Sequence, residues 1–302
     1  MGREDLRAAL DYGAAVDALD AAFGQGIDAY MNPERETHAV PSGELMLMPA
    51  AGEEGVGVKL VTLTPDNPAR GRPFIQGVYA LFSPTEQTPE AIFDGAALTE
   101  LRTAAVSGLA TRRLARPGAE RLVVFGAGVQ AAAHIECLLA TCPTLRDVGI
   151  VGRDPGRAAA LVARLRAQGV DAWEVTAEAV RTADIICTCT TAAEPLFPAE
   201  WVPAGAHVNA VGAYRTDRRE LDAALLAPAT LVVEDRDAAL SEAGDLVLAI
   251  AEGALAESDI DADLREVVAG RAGRPDPTAI TVFKSVGLAF EDLVIARAAL
   301  RR

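Results

Sequence analysis

Residues 121–134, RLVVFGAGVQAAAH, carry the most suggestive spacing in the chain. Four apolar residues, Leu122 to Phe125, run into Gly126-Ala127-Gly128-Val129-Gln130-Ala131, a G-x-G-x-x-A pattern. Gly126 permits a tight turn, Gly128 lets backbone N–H groups approach a pyrophosphate, and Ala131 is small enough for close helix–strand packing. The start of the following helix then faces the anion. A bare structural turn uses the same residues, but a strand before, a helix after and further strand–helix units beyond favour a dinucleotide. The next strand ends GIVGRDPGRAA, where an acid would hold the ribose hydroxyl of NAD. Gly152 and Arg153 stand there instead, with Arg157 a helical turn on, and arginine suits a 2′-phosphate. Asp154 lies one residue further and would restore a carboxylate if the register shifted. NADP(H) is therefore expected ahead of NAD(H).

Three cations lie in unusual settings nearer the N-terminus. Lys59 sits inside GVGVKLVTL, where it either faces solvent on the alternate face or points into a cleft. Arg102 lies in the alanine-rich LTELRTAA, and Arg35 follows Pro33-Glu34. Lys284 and Ser285 border a switch from strand to helix, which Ser285 is placed to cap. HVNAVGAYRTDRRELD, residues 207–222, reads as a strand, a glycine loop and a helix, and such loops line the ligand crevice of parallel sheets. His134-Ile135-Glu136 matches half of a zinc-deaminase signature, but the required Pro-Cys-x-x-Cys is missing, so no metal is expected. The four cysteines read as buried free thiols.

The elements that must position these groups fall into two textures. A helix is expected over 5–23 and an antiparallel sheet over 35–93, from short apolar runs broken by Gly, Pro and Asn. A helix over 97–115 follows, with Thr99 as its cap. Strands at 121–125, 147–151, 171–175, 184–189, 207–211 and 230–234, with helices at 129–141 and 155–168, have the rhythm of a doubly wound parallel sheet. The fold class is therefore α/β, a Rossmann-type domain plus an α+β domain. Boundaries are expected at 1–115 for substrate binding and dimerisation and 116–285 for the dinucleotide, with the last helix, 286–302, packing back on the first domain. A ligand is expected in the cleft between them. The 302 residues are 50% hydrophobic and carry a net charge of −15, which argues against nucleic acid as partner. No apolar run approaches the ~18–20 residues of a membrane span, and a cytoplasmic protein is expected.

Five segments together resemble the ornithine cyclodeaminase/mu-crystallin family: GVKLVTLTPDNPARGRP (57–73), DGAALTELRTAAVSGLA (94–110), GAGVQAAAH (126–134), HVNAVGA with RELD (207–222) and ITVFKSVGLAFED (280–292). The resemblance implies two domains, a homodimer built through the first domain's sheet, and a nicotinamide cofactor. It implies NAD(P)-dependent chemistry at the C–N bond of a small amino or imino acid. It places Arg35, Lys59 and Arg102 at the substrate carboxylate, and Lys59, Arg102 and Asp217 are the expected catalytic residues. It places the cofactor at Arg102, Thr103, Gly126, Gly128, Val129, Gln130, Arg153, Thr190, Val211, Gly212, Lys284 and Ser285. The departures are specific. Met46 replaces the glutamate that cyclodeaminases carry before Leu-Met-Pro, and Ala213 and Tyr214 follow the glycine where an aspartate is usual. Asp217 or Glu220 would substitute only if the loop folds inward, and Tyr214 is expected at the substrate. Ornithine or lysine cyclisation with recycled NAD, and non-catalytic ligand binding, are the alternatives to a dehydrogenase or ketimine reductase.

Overall fold

A computed structural model describes residues 1–25 and 33–301. The chain opens with α1 (Arg3–Ala9) and α2 (Tyr12–Gln25), followed by β1 (Glu36–Val40), β2 (Gly43–Gly52), β3 (Gly55–Leu63), β4 (Ile75–Phe82) and β5 (Pro89–Asp94). The long α3 (Gly95–Leu114) leads to β6 (Arg121–Phe125), α4 (Val129–Thr141), β7 (Asp147–Val151), α5 (Pro155–Ala167), β8 (Asp171–Glu174), β9 (Ile185–Thr188) and β10 (His207–Ala210). Then come α6 (Ala223–Leu226), β11 (Thr230–Val233), α7 (Arg236–Glu242), α8 (Gly244–Ala251), β12 (Ala262–Asp263), α9 (Leu264–Val268), β13 (Thr281–Lys284) and α10 (Ala289–Leu300).

Two compact units result: Met1–Ala105 with Gly287–Arg302, and Val106–Val286. In the first, β1 to β5 form an antiparallel sheet in sequence order. Strand alternation sorts its two faces. On β3, Lys59, Val61 and Leu63 point to the buried side, while Leu60 and Thr62 are exposed. Helix α10 packs on β2, β3 and β4 and on α2, and is buried on almost every side from Ala289 to Ala296.

The second unit is an eight-stranded parallel sheet in the order β8-β7-β6-β9-β10-β13-β11-β12. Numbered from β6 in chain order, the strands run 3-2-1-4-5-8-6-7: the first five follow the order of a dinucleotide-binding sheet, β13 takes the sixth place, and the strand order reverses between β6 and β9. Both faces are covered: Val123 and Phe125 enter one core cluster, Leu122 and Val124 the other.

The structure differs from the sequence reading in several places. The expected helix over 5–23 is two helices, because Asp11 turns its side chain to the Ala14 N–H and starts a second one. Asp94, not Thr99, caps α3 by accepting from Ala96 and Ala97, whereas the Thr99 hydroxyl bonds back to the Gly95 carbonyl. Ser285 caps nothing: α10 begins at Ala289, and the Ser285 hydroxyl donates to Glu234. The expected boundary at 115/116 falls instead inside α3, after Ala105. Its first half is tied into the first unit, with Glu100 paired to Arg3 and Arg7 and Arg102 to Glu291. Its second half belongs to the parallel sheet: Thr111 accepts from Asn209, and the Leu114 carbonyl accepts from Arg274 and Thr281.

Candidate functional site

Lys59 answers the question its strand posed. It lies on the covered face of β3 and is 1% exposed. Its cross-strand neighbours are Met48 on β2 and Tyr79 on β4. An ammonium taken out of water needs a counter-charge, and α10 supplies one: Lys59 Nζ is 2.7 Å from Asp292 Oδ2. The neighbouring Glu291 receives a hydrogen bond from Arg102 Nη1 at 3.0 Å, and Arg102 Nε lies 3.6 Å from Asp292 Oδ1. Both carboxylates are fully buried in the first turn of α10, where the helix dipole favours negative charge.

Arg35 joins the same cluster. Its Nη2 donates to the Gly287 carbonyl at 3.0 Å, and its Nη1 lies 3.9 Å from the Met46 sulfur. Gly287 has φ +84°, and a Cβ there would fall 2.3 Å from Arg102 Nη1. One glycine therefore seats both guanidiniums, through its carbonyl and through its missing side chain. The three cations singled out by sequence are together, about a pair of carboxylates the sequence reading gave no role. Burial pushes the Lys59 pKa down to about 8; Asp292 opposes the shift, while Arg102 and Arg35 add to it. Tyr79 faces the same charges, and burial and then Asp292 hold its phenol well above the usual range. Its hydroxyl is buried with no hydrogen-bond partner among the described residues.

In the second unit, the glycine turn joins β6 to α4. Gly126 has φ +116°, and a Cβ there would press to 2.6 Å from the Cys189 carbonyl, so no other residue fits. Gly128 is the N-cap of the 13-residue α4, and a Cβ on it would meet no atom within 4 Å. Open space therefore lies against the N-terminus of a full helix, beside exposed Val129, at the sheet's switch point. That arrangement fits a dinucleotide pyrophosphate. Arg153 is exposed just past the end of β7. Asp154 is the N-cap of α5, accepting from the Arg157 N–H at 3.2 Å.

Tyr214 is half-buried and Asp217 is exposed, its carboxylate 3.3 Å from Arg215 Nε. Glu220 does turn inward, but four donors already occupy it: the Thr188 hydroxyl, the Thr190 hydroxyl and N–H, and the Gly212 N–H. It ties the ends of β9 and β10 together. Thr190, Val211 and Gly212 thus line up at the carboxyl ends of these strands, with the Val211 N–H on the Thr188 carbonyl. Lys284 is buried with Nζ 2.8 Å from Asp245, whose other oxygen accepts from the Glu220 and Leu221 N–H groups. Ser285 is bonded to Glu234. The side chains of Lys284 and Ser285, expected at the cofactor, are thereby committed to the scaffold. Thr103 bonds back to the Thr99 carbonyl within α3. His134 is bonded to the Gln130 carbonyl and to Ser107, and burial lowers its pKa to about 4.

A switch-point glycine turn on a parallel sheet whose first five strands run 3-2-1-4-5, with a separate unit carrying a buried cation cluster, defines an α/β dinucleotide-binding enzyme class. Comparison with known proteins narrows it: residues 3–301 match the ornithine cyclodeaminase/mu-crystallin family, and the chain belongs to that family. It is 40% identical over 288 residues to the mouse ketimine reductase mu-crystallin, covering 93% of this chain and 88% of that protein. It is similar to the structure of Thermococcus litoralis Delta(1)-pyrroline-2-carboxylate reductase in complex with NADH and L-proline (32% identity, TM-score 0.94, covering 100% of this chain and 96% of that one). It also resembles an archaeal alanine dehydrogenase dimer with bound NAD (30% identity, TM-score 0.93, covering 100% and 94%).

Proposed function

We propose that the protein is a nicotinamide-dependent oxidoreductase of the C–N bond of small α-imino and α-amino acids, working as a reductase of cyclic ketimines. The observation that carries this is the gathering of Arg35, Lys59 and Arg102 around Gly287 and Asp292. Two guanidinium forks suit one carboxylate. Lys59 is the one member of the three able to release a proton near neutral pH. The mouse and Thermococcus relatives, both imine reductases by name, support the substrate class.

When bound, the nicotinamide supplies the hydride that adds to the imino carbon. Gly126, Gly128 and the first N–H groups of α4 would hold its pyrophosphate. Arg35 and Arg102 bind and orient the substrate carboxylate. As the C=N π pair moves to nitrogen, Lys59 delivers its ammonium proton there and is reprotonated from solvent.

Cyclodeamination asks for a carboxylate that holds and relieves a distal amine. Met46 replaces one such acid, Asp217 faces water, and Glu220 is consumed by four donors. NADP(H) is the favoured cofactor, since Arg153 stands free in solvent beyond β7 while Asp154 is engaged as a helix cap. A homodimer is proposed through the outer face of the antiparallel sheet, where Leu60, Val78 and Ile92 are exposed together. Val78→Asp is expected to yield a monomer by sedimentation, and an undisturbed dimer would place the interface elsewhere.

The test of function is spectroscopic. Five- and six-membered cyclic imino acids should consume reduced nicotinamide stoichiometrically, faster with NADPH than with NADH. Release of ammonia from ornithine or lysine with no net change in nicotinamide absorbance would establish a cyclodeaminase instead.

A further inference from the structure

Lys59 and Lys284 are the only lysines in the chain; every other basic residue of the 28 is arginine. Arginine does not deprotonate in proteins, whereas lysine does so readily once buried. Both lysines are buried, and each is paired with one aspartate. The pairs differ in how the aspartate is satisfied. Asp245 gives its second oxygen to two backbone N–H groups. The second oxygen of Asp292 is buried and accepts no hydrogen bond among the described residues, with Arg102 Nε at 3.6 Å.

We propose that Asp292 is a positioning residue for imine reduction: its carboxylate aims the Lys59 ammonium and governs how firmly that ammonium holds its proton. This rests on the reductase reading. The groups facing Lys59 are Asp292 and Glu291 from α10, Arg102 from α3, Arg35 from the segment before β1, and Tyr79 from β4. Glu291 is drawn onto Arg102, and both arginines favour loss of the lysine proton. Asp292 is the one carboxylate hydrogen-bonded to Lys59 among the described residues, and it alone of the named causes keeps the ammonium charged.

Asp292→Asn preserves shape and removes the charge. Lys59 must be protonated to serve the imine nitrogen, so kcat/KM for reduction falls as pH rises past its pKa. In Asp292→Asn that alkaline limb should move to lower pH by about one unit or more. The fall should appear in kcat, with the KM for the nicotinamide unchanged. Nitrogen-15 lysine labelling reads the same group without turnover, because the chain gives only two side-chain signals. The Lys59 signal should titrate at lower pH in the variant while the Lys284 signal stays put. An unmoved Lys59 titration in folded Asp292→Asn would overturn the proposal. Should that variant not fold, Asp292→Glu keeps the charge and shifts the ammonium by one methylene. The limb should then stay in place while kcat drops about tenfold or more, and an unaltered kcat would overturn the proposal. Absence of reductase turnover in the unaltered protein would sink the functional reading, while the labelled-lysine titration would still decide the role of Asp292.

Discussion

The two buried lysine–aspartate pairs have almost the same contact distance, 2.7 Å for Lys59–Asp292 and 2.8 Å for Lys284–Asp245, and opposite surroundings. Lys284 lies among acids: Asp245 at contact, and Glu220, whose carboxyl burial pushes up against the opposing pull of Lys284. Those acids tie together the ends of β9 and β10, and each accepts from backbone N–H groups. Lys59 lies among cations, with Arg102 and Arg35 both pressing on its proton. An acid-rich pair whose aspartate holds backbone N–H groups is scaffold; a cation-rich pair whose aspartate takes no backbone donor among the described residues is poised for an anion and a proton transfer.

The energetic consequence follows from linkage. The folded pKa of Lys59, about 8, lies below the usual 10.5. Between these values the unfolded chain holds a proton the folded chain has released, so stability rises with pH across that window. Below pH 8 the fold carries the charged lysine at a penalty on the order of 3 kcal/mol. The Lys59–Asp292 pair is thus a burden on the fold below pH 8.

Replacing the first pair whole and breaking the second should have opposite effects on stability. Lys59→Met with Asp292→Leu should abolish reduction, by roughly 100- to 10,000-fold. It should leave the protein as stable as before or more stable by about 1–4 kcal/mol in urea unfolding at pH 7. Asp245→Asn strips the scaffold lysine of its partner and should cost about 3–5 kcal/mol in the same assay. Loss of stability in the first variant without loss of activity would reverse the assignment of the two pairs. A smaller effect is expected at the cofactor: Arg153→Ser should raise the KM for NADPH roughly 10- to 100-fold and leave NADH nearly unchanged. Equal effects on both would remove Arg153 from the 2′-phosphate.

Much of this was legible in the residues. Six strands of the parallel sheet, β6 to β11, lie where their apolar runs predict, because buried parallel strands and glycine turns leave strong local marks, whereas the two-residue β12 left none. The cations at 35, 59 and 102 stood out by chemical context. Their meeting came from the family resemblance alone and not from spacing, because it is made by α10, which is far from them in sequence. Glu291 and Asp292 did leave a trace: two adjacent carboxylates inside GLAFEDLVIA, with apolar residues on both sides and no polar face to carry them. In a helix buried on nearly all sides, such charges must meet cations. The roles expected for Lys284 and Ser285 failed to anticipate Asp245 and Glu234, because strand pairing at β13 fixes those partners and spacing alone does not. The division of α3 between two units was invisible, since one continuous helix has the same periodicity on both sides of it.

The central claim is that Lys59 works by giving up a proton and not by charge alone. Lys59→Arg tests it, since arginine keeps the cation and cannot release the proton. Imino-acid reduction by this variant is expected to fall at least about 100-fold in kcat while a saturated cyclic amino acid still binds. Turnover within a few-fold of the unaltered protein would contradict it.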